Sequence, residues 1–145
     1  DYNVGSATSF PLMRIEEMYF IEAEAAAHLN ASDGVSLINS FMKGYRYPSY
    51  ECKVTNQDDV VEEIVFQKRV ELWGEGQSFF DIKRLNLPVT RGYAGTLHHT
   101  IGRFNTTTRP AWMNFCIVRS EGNNNTALVG FENPDPSDVY SSWAE

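Results

Sequence analysis

The segment Ile64–Leu87, which reads IVFQKRVELWGEGQSFFDIKRLNL, decides how the rest of the chain is organised. It begins as an apolar helix, stops at Gly74-Glu75-Gly76, and restarts as a short aromatic and charged helix over Phe79–Leu85. We expect helices before this segment to pack on it and a long polar loop region to follow it. Charged side chains around the turn are expected to form one structural ion network, and they are Arg69, Glu71, Glu75, Asp81, Lys83 and Arg84.

Two carboxylates in this segment raise the question of catalysis. Glu71 and Glu75 lie four residues apart, and carboxylates at that spacing repel each other unless cations intervene. A glycoside hydrolase would hold one such acid in an apolar pocket that raises its pKa. The neighbouring cations Arg69, Lys83 and Arg84 would instead lower the carboxylate pKa values. We therefore favour a structural network over a glycoside hydrolase and expect a protein that is not an enzyme.

A helical core is predicted for residues 11–87. Apolar residues recur at helical spacing over Leu12–Leu29, after Pro11 at the first turn, and again over Val35–Lys43. A polar turn over Asn30–Gly34 would join these two helices into an antiparallel hairpin. The sequence is therefore typical of a mainly α fold.

The third helix is predicted to start at a capping box, in which the Thr55 hydroxyl accepts from the Asp58 backbone N–H, and to run to about Trp73. Its apolar residues form two stripes, one of which contains Phe66, Val70 and Trp73. Two apolar stripes predict a helix that is covered on two sides. We expect the second side to lean on a part of the protein outside this chain.

Two further groups of side chains near these helices could be mistaken for sites. We interpret the acids of the first helix as a solvated face, with one or two of them paired to Arg14 or Arg46. These acids are Glu16, Glu17, Glu22 and Glu24. The tyrosines Tyr45, Tyr47 and Tyr50 could stack on a ligand, but packing over the end of the helical hairpin is favoured.

Composition excludes several classes of protein. The chain has 145 residues, enough for one domain with a core, and its net charge of −7 argues against nucleic acid or an anionic membrane surface as the main partner. No run reaches the length of a membrane span. Cys52 and Cys116 are compatible with one disulfide or two thiols, and we expect no metal and no cofactor because His98-His99 is isolated and no ligand motif occurs.

The region after Pro88 has a different texture. Residues 88–136 are rich in polar residues and lack periodicity, which predicts a loop-rich region with one short extended run, Phe115–Val118, followed by a turn over residues 120–126. Asn133-Pro134-Asp135-Pro136 would end the packed region, and residues 137–145 would form a surface tail. The N-terminus carries no Met and no targeting signal, which suggests a processed product or a piece of a longer chain.

Four ordered motifs resemble the SusD/RagB family of outer-membrane nutrient-binding lipoproteins. Met13–Leu29 resembles a helix of that family, and Gln67–Arg84 is similar to its diagnostic run "ERRlELafEGhRwfDLkR". Phe115–Glu121 resembles the "PlPipqsE" strand, and Asn125, Leu128 and Asn133-Pro134 resemble the closing "NPnL.qNPGY". The chain departs from these patterns at Gln67, Ser78, Leu85 and Thr126.

The resemblance implies a fold and a function. It implies tetratricopeptide-like helical hairpins with long irregular loops, and it makes this chain the C-terminal part of a larger α domain. It also implies a non-catalytic protein at the surface of the outer membrane, lipid-anchored through an N-terminal part that precedes this chain. Such a protein captures oligosaccharides for import through a SusC-like TonB-dependent transporter; a peptide-binding, RagB-like version of the complex is the close alternative.

Sugar recognition needs exposed aromatic faces beside polar groups that bind hydroxyls. The loop region offers five candidate ligand residues, which are Tyr93, His98, Arg103, Trp112 and Asn114. A third possibility is a helical scaffold that only docks partners and binds no small ligand.

Overall fold

The computed structural model describes residues 12–131 and divides the chain into two compact units, residues 1–77 and 78–145. The predicted helix-starting Pro11, the closing Asn133-Pro134 and the tail over residues 137–145 lie outside the described residues. Five α-helices and three short 3₁₀ turns, but no strand, are found in the described part. The predicted mainly α fold is confirmed, whereas the tetratricopeptide-like arrangement stays a prediction.

The first unit consists of three helices that pack on one another: α1 (Ile15–Leu29), α2 (Ala31–Tyr45) and α3 (Gln57–Glu71). Their buried apolar side chains form the core of this unit and include Phe20, Ala23, Ala27, Ile38, Phe41, Val60, Ile64 and Val65. The Gln57 side chain, at the start of α3, donates to the carbonyl oxygens of Ala27 (2.9 Å) and His28 (2.7 Å) near the end of α1. It thereby satisfies carbonyl groups that the end of a helix leaves without partners.

The connection between α1 and α2 is shorter than the sequence suggested. The predicted turn over Asn30–Gly34 is wrong, because only Asn30 separates the two helices. The Asn30 side chain accepts from the Ser32 backbone N–H at 3.1 Å and so caps α2. Gly34 lies within α2, and an added Cβ there would be 2.5 Å from the Cβ of Ala27. This glycine permits a close helix contact rather than a turn.

The start of α3 also differs from the prediction. The proposed Thr55 capping box is wrong, because the Asp58 backbone N–H donates to the Asn56 side chain at 2.9 Å. Asparagine directly before the first helical residue is among the strongest N-caps. The stripe of Phe66, Val70 and Trp73 is exposed by 54%, 59% and 85%, so α3 is covered on one side only in the described residues.

Of the three tyrosines near the end of the helical hairpin, two contact other side chains of the first unit, as the sequence favoured. The ring of Tyr45 lies 5.9 Å from that of Tyr19 and 5.7 Å from that of Phe41. The Tyr50 hydroxyl donates to the Glu63 carboxylate at 2.6 Å. Tyr47 is exposed.

The second unit begins within α4 (Gln77–Arg84) and continues as a long irregular segment. Asn86, with φ of 55°, ends α4 in a left-handed conformation, and the Leu87 N–H donates to the Ile82 carbonyl at 3.0 Å. This is the pattern of a Schellman cap. The segment that follows contains an antiparallel bridge between Thr90 and Asn105.

The end of the second unit corrects a further expectation. Phe115–Val118 lies outside any helix or strand, and the residues expected to form a turn start a short helix, α5 (Arg119–Asn124). Local side-chain bonds offset the low helix propensity of this sequence. The Asn124 side chain donates to the Ser120 carbonyl at 2.7 Å, and that of Asn125 donates to the Glu121 carboxylate at 2.9 Å.

Candidate functional site

The first unit holds a dense group of ion pairs, which we call the arginine–glutamate cluster: Arg14, Glu16, Arg46, Glu71 and Glu75. Arg46 forms two hydrogen bonds with the Glu71 carboxylate, at 2.6 and 2.7 Å, and one with Glu16 at 2.9 Å. Arg14 contacts the same Glu71 carboxylate and donates to Glu75 at 2.7 Å. Glu71 is therefore held between two guanidinium groups.

The cluster joins the ends of three helices. Arg14 directly precedes α1, Arg46 directly follows α2, and Glu71 is the last residue of α3. Arg14 also donates to the backbone carbonyl of Glu71 at 3.0 Å, where the helix end leaves that oxygen without an intrahelical partner. A cation at a helix C-terminus is also favoured by the helix dipole. The cluster is placed to stabilise the packing of the three helices.

Electrostatics in the cluster favour the charged forms. Hydrogen bonds from Arg46 lower the pKa of Glu71, against an opposing effect of burial, and Arg14 lowers it further. A hydrogen bond with its own backbone lowers the pKa of Glu16, with further contributions from Arg46 and Arg14. The pKa values of Arg14 and Arg46 are raised, chiefly by hydrogen bonds to Glu75 and Glu71 respectively.

The cations around Glu71 and Glu75 differ from those that the sequence suggested. Within residues 12–131, the carboxylates of Glu71 and Glu75 pair with Arg14 and Arg46, not with Arg69. The Arg69 side chain is exposed. The pairing of a first-helix acid with Arg14 or Arg46 is confirmed, because Glu16 contacts both.

The charged residues of α4 belong to the second unit. Arg84 donates to the Asp81 carboxylate from two nitrogens, at 2.8 and 2.9 Å, and Asp81 is buried. The backbone carbonyl of Lys83 accepts from Arg109 at 3.3 Å. Asp81 and Arg84 thus form an ion pair three residues apart along one helix.

The loop after α4 is closed by one side chain. Asn105 accepts from the backbone N–H groups of Arg91 (3.1 Å) and Gly92 (2.9 Å) and donates to the Gly92 carbonyl (2.8 Å). Two backbone hydrogen bonds lie beside it. The Arg91 N–H donates to the Phe104 carbonyl and the Thr106 N–H to the Val89 carbonyl, both at 3.0 Å. We call this arrangement the Asn105 clamp. It fixes the two ends of the loop over residues 92–104.

The clamp positions an aromatic and cationic surface. The Trp112 ring meets the Phe104 ring edge-on, with centroids 4.5 Å apart and planes at 81°. The Arg91 guanidinium lies 5.1 Å from the centroid of the Phe104 ring, a cation–π distance. Trp112 is 38% exposed. We call these three residues the Arg91–Phe104–Trp112 group.

The five predicted ligand residues lie in the second unit and have different surroundings. Trp112 belongs to the group just described. Arg103 donates to the His98 backbone carbonyl at 2.7 Å, so these two residues contact each other and stabilise the loop. Tyr93 is exposed beside the clamp. Asn114 is half-buried after a 3₁₀ turn, where its N–H donates to Ala111 at 3.2 Å.

Three residues of this surface were missed by sequence reasoning: Arg91, Phe104 and Asn105. The antiparallel bridge brings Arg91 to Phe104 across a loop. The sequence of an irregular segment has no periodicity that predicts such a pairing. An aromatic residue close in sequence to Trp112 was the available signal for Phe104.

Other chemical groups in the described residues are sparse. Cys52 is a buried thiol whose pKa is raised by burial, and Cys116 is an exposed thiol. No group of three or more His, Cys, Asp or Glu side chains within residues 12–131 is arranged to hold a metal ion. Within the same residues, no helix has the length and apolar character to cross a membrane.

The chain is similar to known proteins in both sequence and structure. The model of the SusD family matches residues 2–134. The chain is also similar to the crystal structure of a SusD-like carbohydrate binding protein from Bacteroides vulgatus ATCC 8482, with 27% sequence identity and a TM-score of 0.60. That similarity covers 90% of this chain and 32% of the other, so this chain spans about a third of that protein's length. No curated protein sequence matches the chain.

Proposed function

Because the chain belongs to the SusD family, we propose that it is part of a non-catalytic cell-surface protein that binds oligosaccharides. The observation that carries this proposal is the Arg91–Phe104–Trp112 group on its clamped loop. The similarity to a carbohydrate binding protein at 27% identity supports the same ligand class.

The chemistry of the group suits a sugar ring. The C–H face of a sugar packs on an aromatic face, and the partly exposed Trp112 ring offers one. Nearby donors would bind the sugar hydroxyls and fix the orientation of the ring. The Asn105 clamp holds the loop before any ligand arrives, which reduces the entropy lost on binding.

The carboxylates of the first unit suit a structural role better than glycoside hydrolysis. A general acid needs a raised pKa, whereas the pKa of Glu71 is lowered by Arg46 and Arg14. A cluster that holds Glu71 between two guanidinium groups also leaves its oxygens occupied. We therefore propose binding without turnover.

The wider setting of the binding step is also part of the proposal. We infer that the protein is lipid-anchored at the outer membrane through a part outside this chain, and that it passes its ligand to a SusC-like TonB-dependent transporter. The similar carbohydrate binding protein is about three times as long as the part that this chain covers. We further propose that the remainder of the parent chain covers the exposed stripe of Phe66, Val70 and Trp73.

Calorimetric titration of the full-length protein tests the proposal. One panel consists of neutral and acidic oligosaccharides and the other of mixed short peptides. We expect saturable binding of one glycan class without release of product, and at least about tenfold weaker binding in Trp112→Ala, or about 1.4 kcal/mol.

The controls separate the site from the rest of the surface. Trp112→Phe keeps an aromatic face and should retain most of the affinity, while Tyr47→Ala removes an exposed aromatic ring of the first unit and should bind as the unchanged protein does. Peptide binding alone would move the protein to the peptide-uptake alternative. Absence of binding to both the oligosaccharide and the peptide panel would contradict the proposed function and favour a scaffold that only docks partners.

A further inference from the structure

Charge is distributed unevenly along the chain. Residues 82–120 contain six of the twelve lysines and arginines and none of the nineteen aspartates and glutamates. The chain as a whole nevertheless carries a net charge of −7. One of the six, Arg84, pairs with the neighbouring Asp81. The other cations have no acid within the segment, and such a segment favours a local positive potential that raises the local concentration of anions.

The cationic segment includes the Arg91–Phe104–Trp112 group. Arg91 is exposed and its guanidinium lies over the Phe104 ring. Within the part of the chain that the structure describes, no carboxylate pairs with Arg91, in contrast to Arg14 and Arg46 of the first unit. Its charge is therefore available to a ligand.

The backbone of Arg91 is fixed by the Asn105 clamp. Its N–H donates to the Phe104 carbonyl at 3.0 Å and to the Asn105 side chain at 3.1 Å. A guanidinium binds a carboxylate or a sulfate through two parallel hydrogen bonds, and stacking on an aromatic ring leaves those donors at its edge. The result is a cation held over the Phe104 ring, and the edge of the partly exposed Trp112 contacts the same ring.

We propose that the surface formed by Arg91, Phe104 and Trp112 selects oligosaccharides that carry acidic groups, namely carboxylate or sulfate. The sugar ring packs on Trp112, and its acidic group binds the edge of the Arg91 guanidinium. This inference rests on the proposed glycan-binding function and narrows it to one substrate class. A neutral sugar would gain only a hydrogen bond to a hydroxyl from this cation, whereas an acidic sugar gains a charge-assisted, two-point contact and is attracted to this segment rather than to the rest of the acidic chain.

Paired probes that differ only in charge test the selectivity of the full-length protein. The first pair is a galacturonic acid hexamer and its fully methyl-esterified form, which keeps the backbone and removes the carboxylate charge. The second pair is a sulfated chondroitin oligosaccharide and its desulfated form, which keeps the uronic carboxylates, so a difference within this pair reports a preference for sulfate and no difference reports that carboxylate suffices. We expect an acidic member to bind at least about tenfold more tightly than its matched partner at about 0.05 M NaCl and much less so at about 0.5 M.

Variants assign this preference to Arg91. Arg91→Gln should bring the acidic and the matched probe to within about threefold of each other, and Arg91→Lys should retain part of the preference because the charge remains. Lys43→Gln removes one exposed cation of the first unit and should leave the preference unchanged. Thermal unfolding of each variant checks that the fold is kept.

The possible results separate the two proposals. Equal binding of the two members in both pairs, binding of neutral glycans only, or an acidic preference that survives Arg91→Gln would overturn the inference while glycan binding itself stands. Absence of binding to every glycan, neutral and acidic, would overturn both.

Discussion

Gly34→Ala tests a close contact between α1 and α2 in the first unit. An added methyl group would lie 2.5 Å from the Cβ of Ala27 and 2.8 Å from its Cα. Real Cβ contacts are never this short, and a backbone Cα cannot rotate out of the way. Helices α1 and α2 would have to move apart, which loosens the contact between Phe20 and Phe41, whose rings lie 5.0 Å apart.

The expected size of the effect follows from two opposing contributions. Alanine in a helix interior is favoured over glycine by about 1 kcal/mol. Overpacking of a well-packed core costs about 1–3 kcal/mol, and the upper part of that range applies because the obstacle is backbone. We expect Gly34→Ala to lower the free energy of unfolding by about 1–2 kcal/mol.

Gly44→Ala is the matched control. Gly44 lies in the last turn of α2, and no atom lies within 4 Å of an added Cβ. This substitution keeps the gain in helix propensity without the clash, so it should leave stability unchanged or raise it by up to about 1 kcal/mol. The same chemical change in the same helix should therefore have opposite signs at the two positions.

Urea unfolding followed by circular dichroism at 222 nm measures both variants. We expect the midpoint to fall for Gly34→Ala and to stay or rise for Gly44→Ala, with the same dependence on urea concentration. Equal stability of the two variants, within about 0.5 kcal/mol, would refute the close contact between α1 and α2.

Three further outcomes are expected. Arg46 lowers the pKa of Glu71 in the folded state, so the ionised Glu71 carboxylate stabilises the fold above its unfolded-state pKa of about 4.3, and this stabilisation is lost as pH falls further. Glu71→Gln should therefore lower the free energy of unfolding by about 1–3 kcal/mol at pH 7 and flatten the loss of stability below about pH 4.5. Urea unfolding at a series of pH values measures both effects. Asn105→Ala should speed hydrogen exchange at the Gly92 amide and weaken glycan binding, whereas Asn105→Asp, which keeps an acceptor for both N–H groups, should change exchange less. If the rest of the parent chain covers Trp73, acrylamide should quench the fluorescence of Trp73 less in the full-length protein than in the 145-residue chain. The Trp73 signal is the difference between the fluorescence of the unchanged protein and that of Trp73→Phe.

The helices that sequence reasoning placed well are those with strong periodicity. The apolar spacing of α1 and α3 and the glycine-flanked break between α3 and α4 predicted their positions to within a few residues. The start of α2 was missed because Gly34 was interpreted as a turn residue. Only the packing of Gly34 against Ala27 shows why a helix tolerates it, and that contact is not visible in a local pattern.

The two clusters of the structure show a second limit of local patterns. Glu71 was expected to find cations within a few residues, but it pairs with Arg14 and Arg46, which are 57 and 25 residues away in sequence. Likewise Trp112 was identified as a candidate, whereas the residues around it depend on a bridge between Thr90 and Asn105. Partners set by tertiary packing follow from the fold, not from spacing along the chain.

The two units use arginine in different ways. In the first unit, Arg14 and Arg46 are surrounded by Glu16, Glu71 and Glu75, so their charges are neutralised within the fold. In the second unit, Arg91 lies in a segment without acids and contacts an aromatic ring. Loss of an arginine from the cluster should therefore lower stability and leave the acidic-glycan preference intact. Loss of Arg91 should remove that preference and leave stability nearly unchanged, because an exposed cation–π contact contributes only about 0.5–1 kcal/mol. A variant series that showed the reverse assignment would mean that the loop cations are structural and that the ligand is recognised elsewhere.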